Sequence, residues 1–188
     1  MIPPSTPTSL LPSGRLAALA LLLAAVGFAR ADDLADVQRL QAAGQADAAL
    51  QKADAYLATH PKDASMRFLK GVVLADAKRE GDAIDVFRQL TEDYPELPEP
   101  YNNLATLYAA RGDYDAARAQ LDQALRANPN FGMAYENLGD VYVMLARRAY
   151  ARAGTLEPNN AAVPAKLTLL RELLARKPAA GAASAVAR

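Results

Sequence analysis

Residues 101–129 read YNNLATLYAARGDYDAARAQLDQALRANP, and this stretch decides the fold. Its large and small apolar residues recur at helical spacing on both sides of Gly112, and a proline closes it. Upstream the same order of residue sizes returns, and Pro61, Pro95 and Pro129 follow one another at one constant interval. The interval predicts one structural unit that is copied along the chain.

The residue types within this unit have physical reasons. Ala105 and Ala117 are expected where two helices cross, because a larger side chain there would push the helix axes apart. Gly112 stands where a helix ends with a positive φ, and Asp113 can cap the helix that follows. Pro129 cannot continue a helix interior. The unit is therefore predicted to be a hairpin of two helices joined by a short turn.

This pattern resembles the tetratricopeptide repeat (TPR), a helix–turn–helix unit of about 34 residues. The resemblance is close over 101–129 and weaker in the copies on either side. It implies an all-α fold, a right-handed α-solenoid of TPR helix hairpins. The complete repeats are expected at about 32–63, 64–97 and 98–131.

The period breaks in the fourth unit. Gly139 and Ala146 take the places of Ala105 and Ala117, yet they are 7 residues apart instead of 12. The five missing residues are those of the turn, and apolar residues continue at helical spacing through the gap. We predict one long fused helix over about 133–156; a very tight hairpin is the alternative.

A C-terminal capping helix is predicted at about 161–176. It carries leucines on one side and charged residues elsewhere, as expected of an element that covers the apolar end of a solenoid. The shortened fourth unit would occupy 132–160, which completes a TPR domain over 32–176. The tail 177–188 has little to bury, and we expect it to be disordered.

The segment 1–31 has the features of a secretory signal peptide. Arg15 precedes an apolar run over 16–29, and the sequence Ala29-Arg30-Ala31 has small residues at the two positions that a signal peptidase reads. We expect cleavage after Ala31 and a periplasmic or secreted protein. An uncleaved membrane anchor is the alternative, although the run is shorter than the roughly 20 residues of a spanning helix.

The inventory of reactive side chains is poor. The chain has no cysteine, which excludes disulfides and thiol chemistry. His60 is the only histidine and precedes Pro61 at a predicted helix end, where a cation is favourable beside the terminal carbonyl groups. A histidine at such a position far more commonly stabilises the helix end than takes part in catalysis. We therefore expect no enzymatic activity, no catalytic residue, no metal site and no cofactor.

Charge and hydropathy limit the partners. The chain has 21 basic and 21 acidic residues, so its formal net charge is zero, and no basic stripe argues for nucleic acid. We expect no nucleic-acid partner and, after signal cleavage, no permanent membrane span. The partner is expected to be another protein or peptide, with a homo-oligomer also possible.

The TPR resemblance implies where such a partner binds. In that family the first helix of each hairpin lines a concave groove. Carried over position by position, the residues facing the groove are Phe68, Val72, Asp76, Asn102, Asn103, Thr106, Ala110, Met133, Glu136, Asn137 and Asp140.

Asn103 and Asn137 share one repeat position, where some TPR proteins hold a peptide backbone through an asparagine amide. An amide offers a donor and an acceptor, so it can bind an extended peptide without reading its side chains. The alternative is that these asparagines only solvate an exposed face. The lysines and arginines of TPR domains that clamp a chaperone carboxylate are absent from the matching places, so we expect no carboxylate clamp.

Four tyrosines occupy two repeated positions that pack between helices in this family. They are Tyr101, Tyr108, Tyr135 and Tyr142, and we expect them in the core rather than around a ligand.

The function expected from these observations is that of a noncatalytic scaffold or adaptor of the bacterial cell envelope. It would bind a peptide or protein segment with apolar anchors, and one basic residue would suit the acidic fourth unit. The alternative is a structural module that self-associates through its terminal helices.

Overall fold

The structure is a computed structural model that describes residues 32–175. Within that range the chain forms eight α-helices and no strand, so the all-α prediction is confirmed. Helix α1 spans 32–42. The others are α2 (Ala46–Thr59), α3 (Ala64–Asp76), α4 (Glu80–Asp93), α5 (Pro98–Ala110), α6 (Tyr114–Ala127), α7 (Gly132–Leu156) and α8 (Ala162–Ala175). The predicted signal peptide and the predicted disordered tail lie outside the described residues.

The turns between paired helices repeat one backbone conformation. Gly44, Lys78 and Gly112 have φ values of +71°, +61° and +78°, and they recur at the same interval as the three prolines. Glycine adopts this left-handed region readily, whereas Lys78 does so against the usual preference of residues with a Cβ atom. The turn geometry therefore keeps the period even where the residue type changes.

The chain divides into two compact units, and the boundary between Val73 and Leu74 falls within α3. The buried apolar residues of the N-terminal unit come from α1, α2 and α3: Val37, Ala49, Leu50, Ala53, Tyr56, Met66, Leu69 and Val73. Polar contacts fix its helix ends. The Tyr56 hydroxyl donates to Asp63 at 2.9 Å, and the other Asp63 oxygen accepts from the Met66 backbone N–H at 3.1 Å.

The C-terminal unit is built around the hairpin of α5 and α6 with α7 packed against it. Its main cluster joins small and large buried side chains from these three helices: Ala105, Ala117, Leu121, Ala124, Ala134, Leu138 and Val141. Ala105 and Ala117 are 1% and 0% exposed, as the hairpin pattern predicts. Asp113 caps α6 by accepting from the Ala116 backbone N–H at 3.1 Å, which confirms its expected role.

Helix α7 is a single helix of 25 residues, so the predicted long helix is confirmed and the tight hairpin is excluded. Helix α8 packs on its C-terminal half. A Cβ added to Gly154 of α7 would lie 3.3 Å from a methyl group of Val163, so glycine permits the close approach of α8. The Lys166 ammonium lies 5.0 Å from the centre of the Tyr150 ring, within range of a cation–π contact.

The tyrosine prediction holds for only two of the four residues. Tyr101 and Tyr108 are partly buried against the main cluster. Tyr135 and Tyr142 are 56% and 51% exposed, so their assignment to the core was wrong. The physical reason is the missing turn, because α6 folds back over α5 while no part of α7 folds back over its own first half.

Candidate functional site

A cavity of about 290 Å³ opens between α5, α6 and α7. Its walls combine small and apolar side chains with a few polar ones. The lining residues are Ala105, Thr106 and Ala109 from α5, Tyr114 and Leu121 from α6, and Asn137, Asp140, Val141 and Met144 from α7. The cavity therefore lies wholly within the C-terminal unit.

Two asparagines on different helices hold each other beside this cavity. Asn137 of α7 donates through its side-chain amide to the side-chain oxygen of Asn102 on α5, at 2.8 Å. Asn102 is 4% exposed, and its own amide approaches the Met133 sulfur at 3.6 Å. The pair fixes the orientation of Asn137 while leaving that side chain an oxygen and a second N–H for another partner.

The predicted groove residues separate into three groups. Thr106, Asn137 and Asp140 line the cavity together, as one surface formed by α5 and α7. Asn102 accepts from Asn137 and directs its own amide to the Met133 sulfur, and burial of Asn102 removes it from the open groove face on which the repeat position placed it. The physical reason is the bond to Asn137, which makes Asn102 a support for the site.

Asn103 and Glu136 lie outside the cavity lining. The Asn103 amide donates to the Glu99 carbonyl of its own helix at 2.9 Å, one turn earlier. Glu136 is exposed. Asn103 and Asn137 share a repeat position but make different contacts, so the repeat position alone does not give them one role.

Phe68 and Val72 lie on α3 within the N-terminal unit, and both are half-buried. Asp76, the last residue of α3, and Ala110, the last of α5, are not among the cavity-lining residues. The peptide-binding role of all the predicted groove residues stays a prediction.

Sequence reasoning missed several lining residues. Leu121 and Ala105 also belong to the buried cluster of the core. Met144 stands one repeat period after Ala110, a predicted groove residue, so carrying that position one unit further finds it. Tyr114 gave no such signal, because it belongs to the second helix of its hairpin.

The side chains that line the cavity carry a net negative charge. Of the nine lining residues that the structure describes, only Asp140 is charged, and none is lysine or arginine. This lining offers no cation to a terminal carboxylate. It suits N–H donors, or a basic side chain, beside an apolar recess.

An ion pair ties α6 to α7 near the cavity. Arg148 of α7 donates to the Asp115 carboxylate of α6, and this hydrogen bond holds the pKa of Asp115 below its usual value. Both side chains are more than half exposed, so the pair adds little to stability.

His60 lies at the end of α2 and contacts residues of that helix. It is the residue that closes α2, and its ring stacks on Tyr56 with 4.4 Å between centroids. Among residues 32–175, no three side chains of His, Asp or Glu gather as metal ligands would. In the same part of the chain, every helix is too short or too polar to cross a membrane.

Two sequence models, both described as tetratricopeptide repeat, match residues 34–98 and 74–138 of this chain. Among curated proteins, a small glutamine-rich tetratricopeptide repeat-containing protein 2 from Mycosarcoma maydis is 28% identical over 116 residues, covering 59% of this chain and 33% of that protein. A probable biofilm formation methyltransferase WspC from Pseudomonas putida is 35% identical over 97 residues, covering 50% of this chain and 22% of that protein. The chain thus spans a third or less of the curated relatives it matches.

Solved structures resemble the described fold. Pseudomonas aeruginosa pilF superposes with a TM-score of 0.58 at 18% identity, covering 79% of this chain and 70% of that one. TTC0263, a TPR protein of Thermus thermophilus, gives 0.57 at 22% identity, covering 77% and 82%. A MamA protein gives 0.55 at 20% identity, covering 76% and 80%. At these identities the likeness shows the fold alone.

Proposed function

Because the chain belongs to the tetratricopeptide repeat family, a family of protein-interaction modules, we propose that it is a noncatalytic scaffold. The cavity between α5, α6 and α7 is the proposed binding site, and its ligand is an extended segment of another protein. Its volume of about 290 Å³ is at the small end for ligand pockets and suits one or two side chains.

The observation that carries this proposal is the Asn102–Asn137 pair. The buried Asn102 side chain holds the Asn137 amide at the cavity, so little side-chain freedom is lost when a ligand binds. Asn137 still offers one donor and one acceptor, which matches the N–H and C=O of a peptide backbone.

The side chains around Asn137 indicate what the segment contains. Val141, Met144 and Leu121 offer an apolar recess to an aliphatic or aromatic anchor. Asp140 stands one helical turn from Asn137, so a lysine or arginine near the anchor would meet an opposite charge. The proposed ligand is thus an extended segment with one apolar anchor and a neighbouring basic residue.

The test is calorimetric titration with synthetic peptides of about nine residues that carry a central leucine and a neighbouring arginine. We expect Asp140→Arg to weaken binding by about tenfold or more, since it places like charges together. The matched control is Glu92→Arg on α4, an exposed acidic residue outside the cavity, which should bind as the wild type does.

When the arginine of the peptide is replaced by glutamate, the affinities should reverse: Asp140→Arg should bind this peptide more tightly than the wild type does. If the wild type and Asp140→Arg bind both peptides equally, the cavity is not the site.

We propose further that the protein acts in the bacterial cell envelope. This rests on the sequence of segment 1–31, which carries a basic residue, an apolar run and a small-residue cleavage motif. N-terminal sequencing of the protein from a periplasmic extract should give Asp32 as the first residue. An intact Met1 in the membrane fraction would favour the uncleaved anchor instead.

A further inference from the structure

One face of helix α7 is exposed, whereas the corresponding face of α5 is buried. On α5, Ala105 is 1% exposed because α6 folds back over it. At the same repeat position on α7, Gly139 is exposed, and an added Cβ atom would meet nothing within 4 Å. Tyr135 and Tyr142 beside it are both more than half exposed. The first half of α7 is thus the first helix of a hairpin without its second helix.

The residue pattern of that second helix is present further along α7. Once the missing five residues are allowed for, Ala146 and Tyr150 take the places of Ala117 and Leu121. Gly139 and Ala146 are separated by 7 residues of continuous helix, or about 10 Å along the axis, so they cannot meet within one chain.

Both halves lie on one stripe of α7. Tyr135, Gly139, Tyr142, Ala146, Ala149 and Ala153 follow one another at alternating spacings of four and three residues. That spacing keeps side chains on one side of a helix that pairs with another helix. We call these six residues the α7 stripe.

We propose that the α7 stripe pairs antiparallel with the same stripe of a second copy of this chain. The first half of each α7 then receives its second helix from the other copy. Gly139 of one copy faces Ala146 of the other, as Ala105 and Ala117 do within the third hairpin, and a two-fold axis passes beside Tyr142 and Val143. The contact is isologous and closes at a dimer.

The charges of α7 favour this direction of pairing. Its first half, residues 133–144, has two acidic side chains, Glu136 and Asp140, and no basic one. Its second half, 145–156, has three arginines and no acidic residue. Antiparallel pairing places the acidic half of each α7 alongside the basic half of the other copy, whereas parallel pairing would place like charges together. Asp140 and Arg148, which face the cavity and Asp115, contribute to this only at long range.

The sizes of the stripe residues suit a close approach. Glycine and alanine at four of its six positions allow helix axes to come within about 8 Å of each other. Tyr135 and Tyr142 are the large side chains of the stripe, and pairing would remove their exposed rings from water.

Cysteine crosslinking tests the geometry, because the chain has no cysteine of its own. In the antiparallel pair the two copies of residue 142 are about 1.5 Å apart along the axis, and the two copies of residue 135 are about 22 Å apart. Tyr142→Cys should therefore form a disulfide-linked dimer at least about tenfold faster than Tyr135→Cys under mild oxidation. Equal rates for the two variants would overturn the proposal.

A second pair of positions keeps both tyrosines in place. The double variant Gly139→Cys with Ala146→Cys should crosslink between copies, while either single variant should not. If neither this double variant nor Tyr142→Cys crosslinks, the proposal fails.

Sedimentation of the full chain tests the assembly itself. We expect the wild type to be a dimer at about 100 μM and Gly139→Arg to be a monomer. At a dilution at which the wild type is also monomeric, the melting temperature of Gly139→Arg should be unchanged or higher, since it replaces an exposed helical glycine with a better helix former. A destabilised fold cannot then explain the loss of the dimer.

The matched control is Gly81→Arg on α4, another exposed helical glycine with open space around it, which should remain dimeric. A monomeric wild type at that concentration, or a dimeric Gly139→Arg, would contradict the proposal.

Discussion

The Asn102 side chain is polar but buried, and its contacts explain why. It accepts from Asn137 at 2.8 Å and directs its own amide to the Met133 sulfur, so its polar atoms have partners inside the fold. Buried amides are tolerated only when they are bonded in this way. At the residue scale, then, the site is the half-buried amide of Asn137, whose orientation the buried amide of Asn102 sets.

This arrangement predicts unequal effects for two neighbouring asparagines. Asn102→Ala should lower the free energy of unfolding by about 1–2 kcal/mol, because it removes a buried hydrogen bond. Asn103→Ala should change it by less than about 0.5 kcal/mol, since that amide bonds only to its own helix. Urea unfolding measures both, and equal losses would contradict the role assigned to Asn102.

The repeat positions predicted that Thr106, Asn137 and Asp140 share one face, and these three residues line the cavity. The repeat positions did not predict which side chains bond across it. A repeat position gives the direction of a residue from its helix axis, and Asn103 and Asn137 are equal in that respect. The neighbour met in that direction depends on packing. Asn137 meets Asn102, whereas Asn103 meets a backbone carbonyl of α5. Tyr114 likewise lines the cavity because of how the helices pack, which its repeat position does not indicate.

At the scale of the element, the length of α7 follows from the number of residues that the fourth repeat lacks. Removing five residues takes out the turn and leaves helical spacing intact, so the long helix could be predicted from sequence. The exposure of Tyr135 and Tyr142 was not predicted, because the repeat pattern assumes that a second helix returns over them.

Restoring the turn should restore the hairpin. Inserting Ala-Arg-Gly-Asp-Tyr, the residues of 110–114, between Val143 and Met144 brings the fourth unit back to the period of the earlier repeats. Tyr135 and Tyr142 should then become buried. Their share of the acrylamide quenching is measured by comparing each variant with the same variant carrying Tyr135→Phe and Tyr142→Phe. Inserting five alanines at the same place is the control and should extend the helix instead. Equal quenching of Tyr135 and Tyr142 in the two variants would contradict this explanation of α7.

The ion pair between α6 and α7 predicts a pH dependence. Asp115 has a lowered pKa in the folded chain because Arg148 donates to it. Its contribution to stability is therefore present above the usual aspartate pKa of about 3.9 and is lost as the pH falls through the lowered folded value.

Arg148→Ala should raise the pKa of Asp115 toward its usual value, as followed by NMR titration of the side-chain carboxyl carbon. Arg147→Ala, on the same turn, is the control and should leave that pKa in place. An unchanged Asp115 pKa in Arg148→Ala would mean that the pair does not form.

At the scale of the whole molecule, the two proposed surfaces lie on different parts of α7. Asn137, Asp140, Val141 and Met144 line the cavity, while the α7 stripe contains none of these four residues. A peptide and a second copy can therefore bind at separate places. The repeat period indicated the fold class and several cavity residues, whereas the α7 stripe depends on how α7 departs from that period.

The most direct test of the proposed site is an NMR titration of the isotope-labelled chain with the arginine-containing peptide. The account predicts that the side-chain amide signal of Asn137 and the backbone signals of Thr106 and Asp140 shift as the peptide binds. Signals of α8, including Leu169 and Leu173, should stay in place. Binding that leaves the Asn137 and Thr106 signals unmoved would contradict the assignment of this cavity as the binding site.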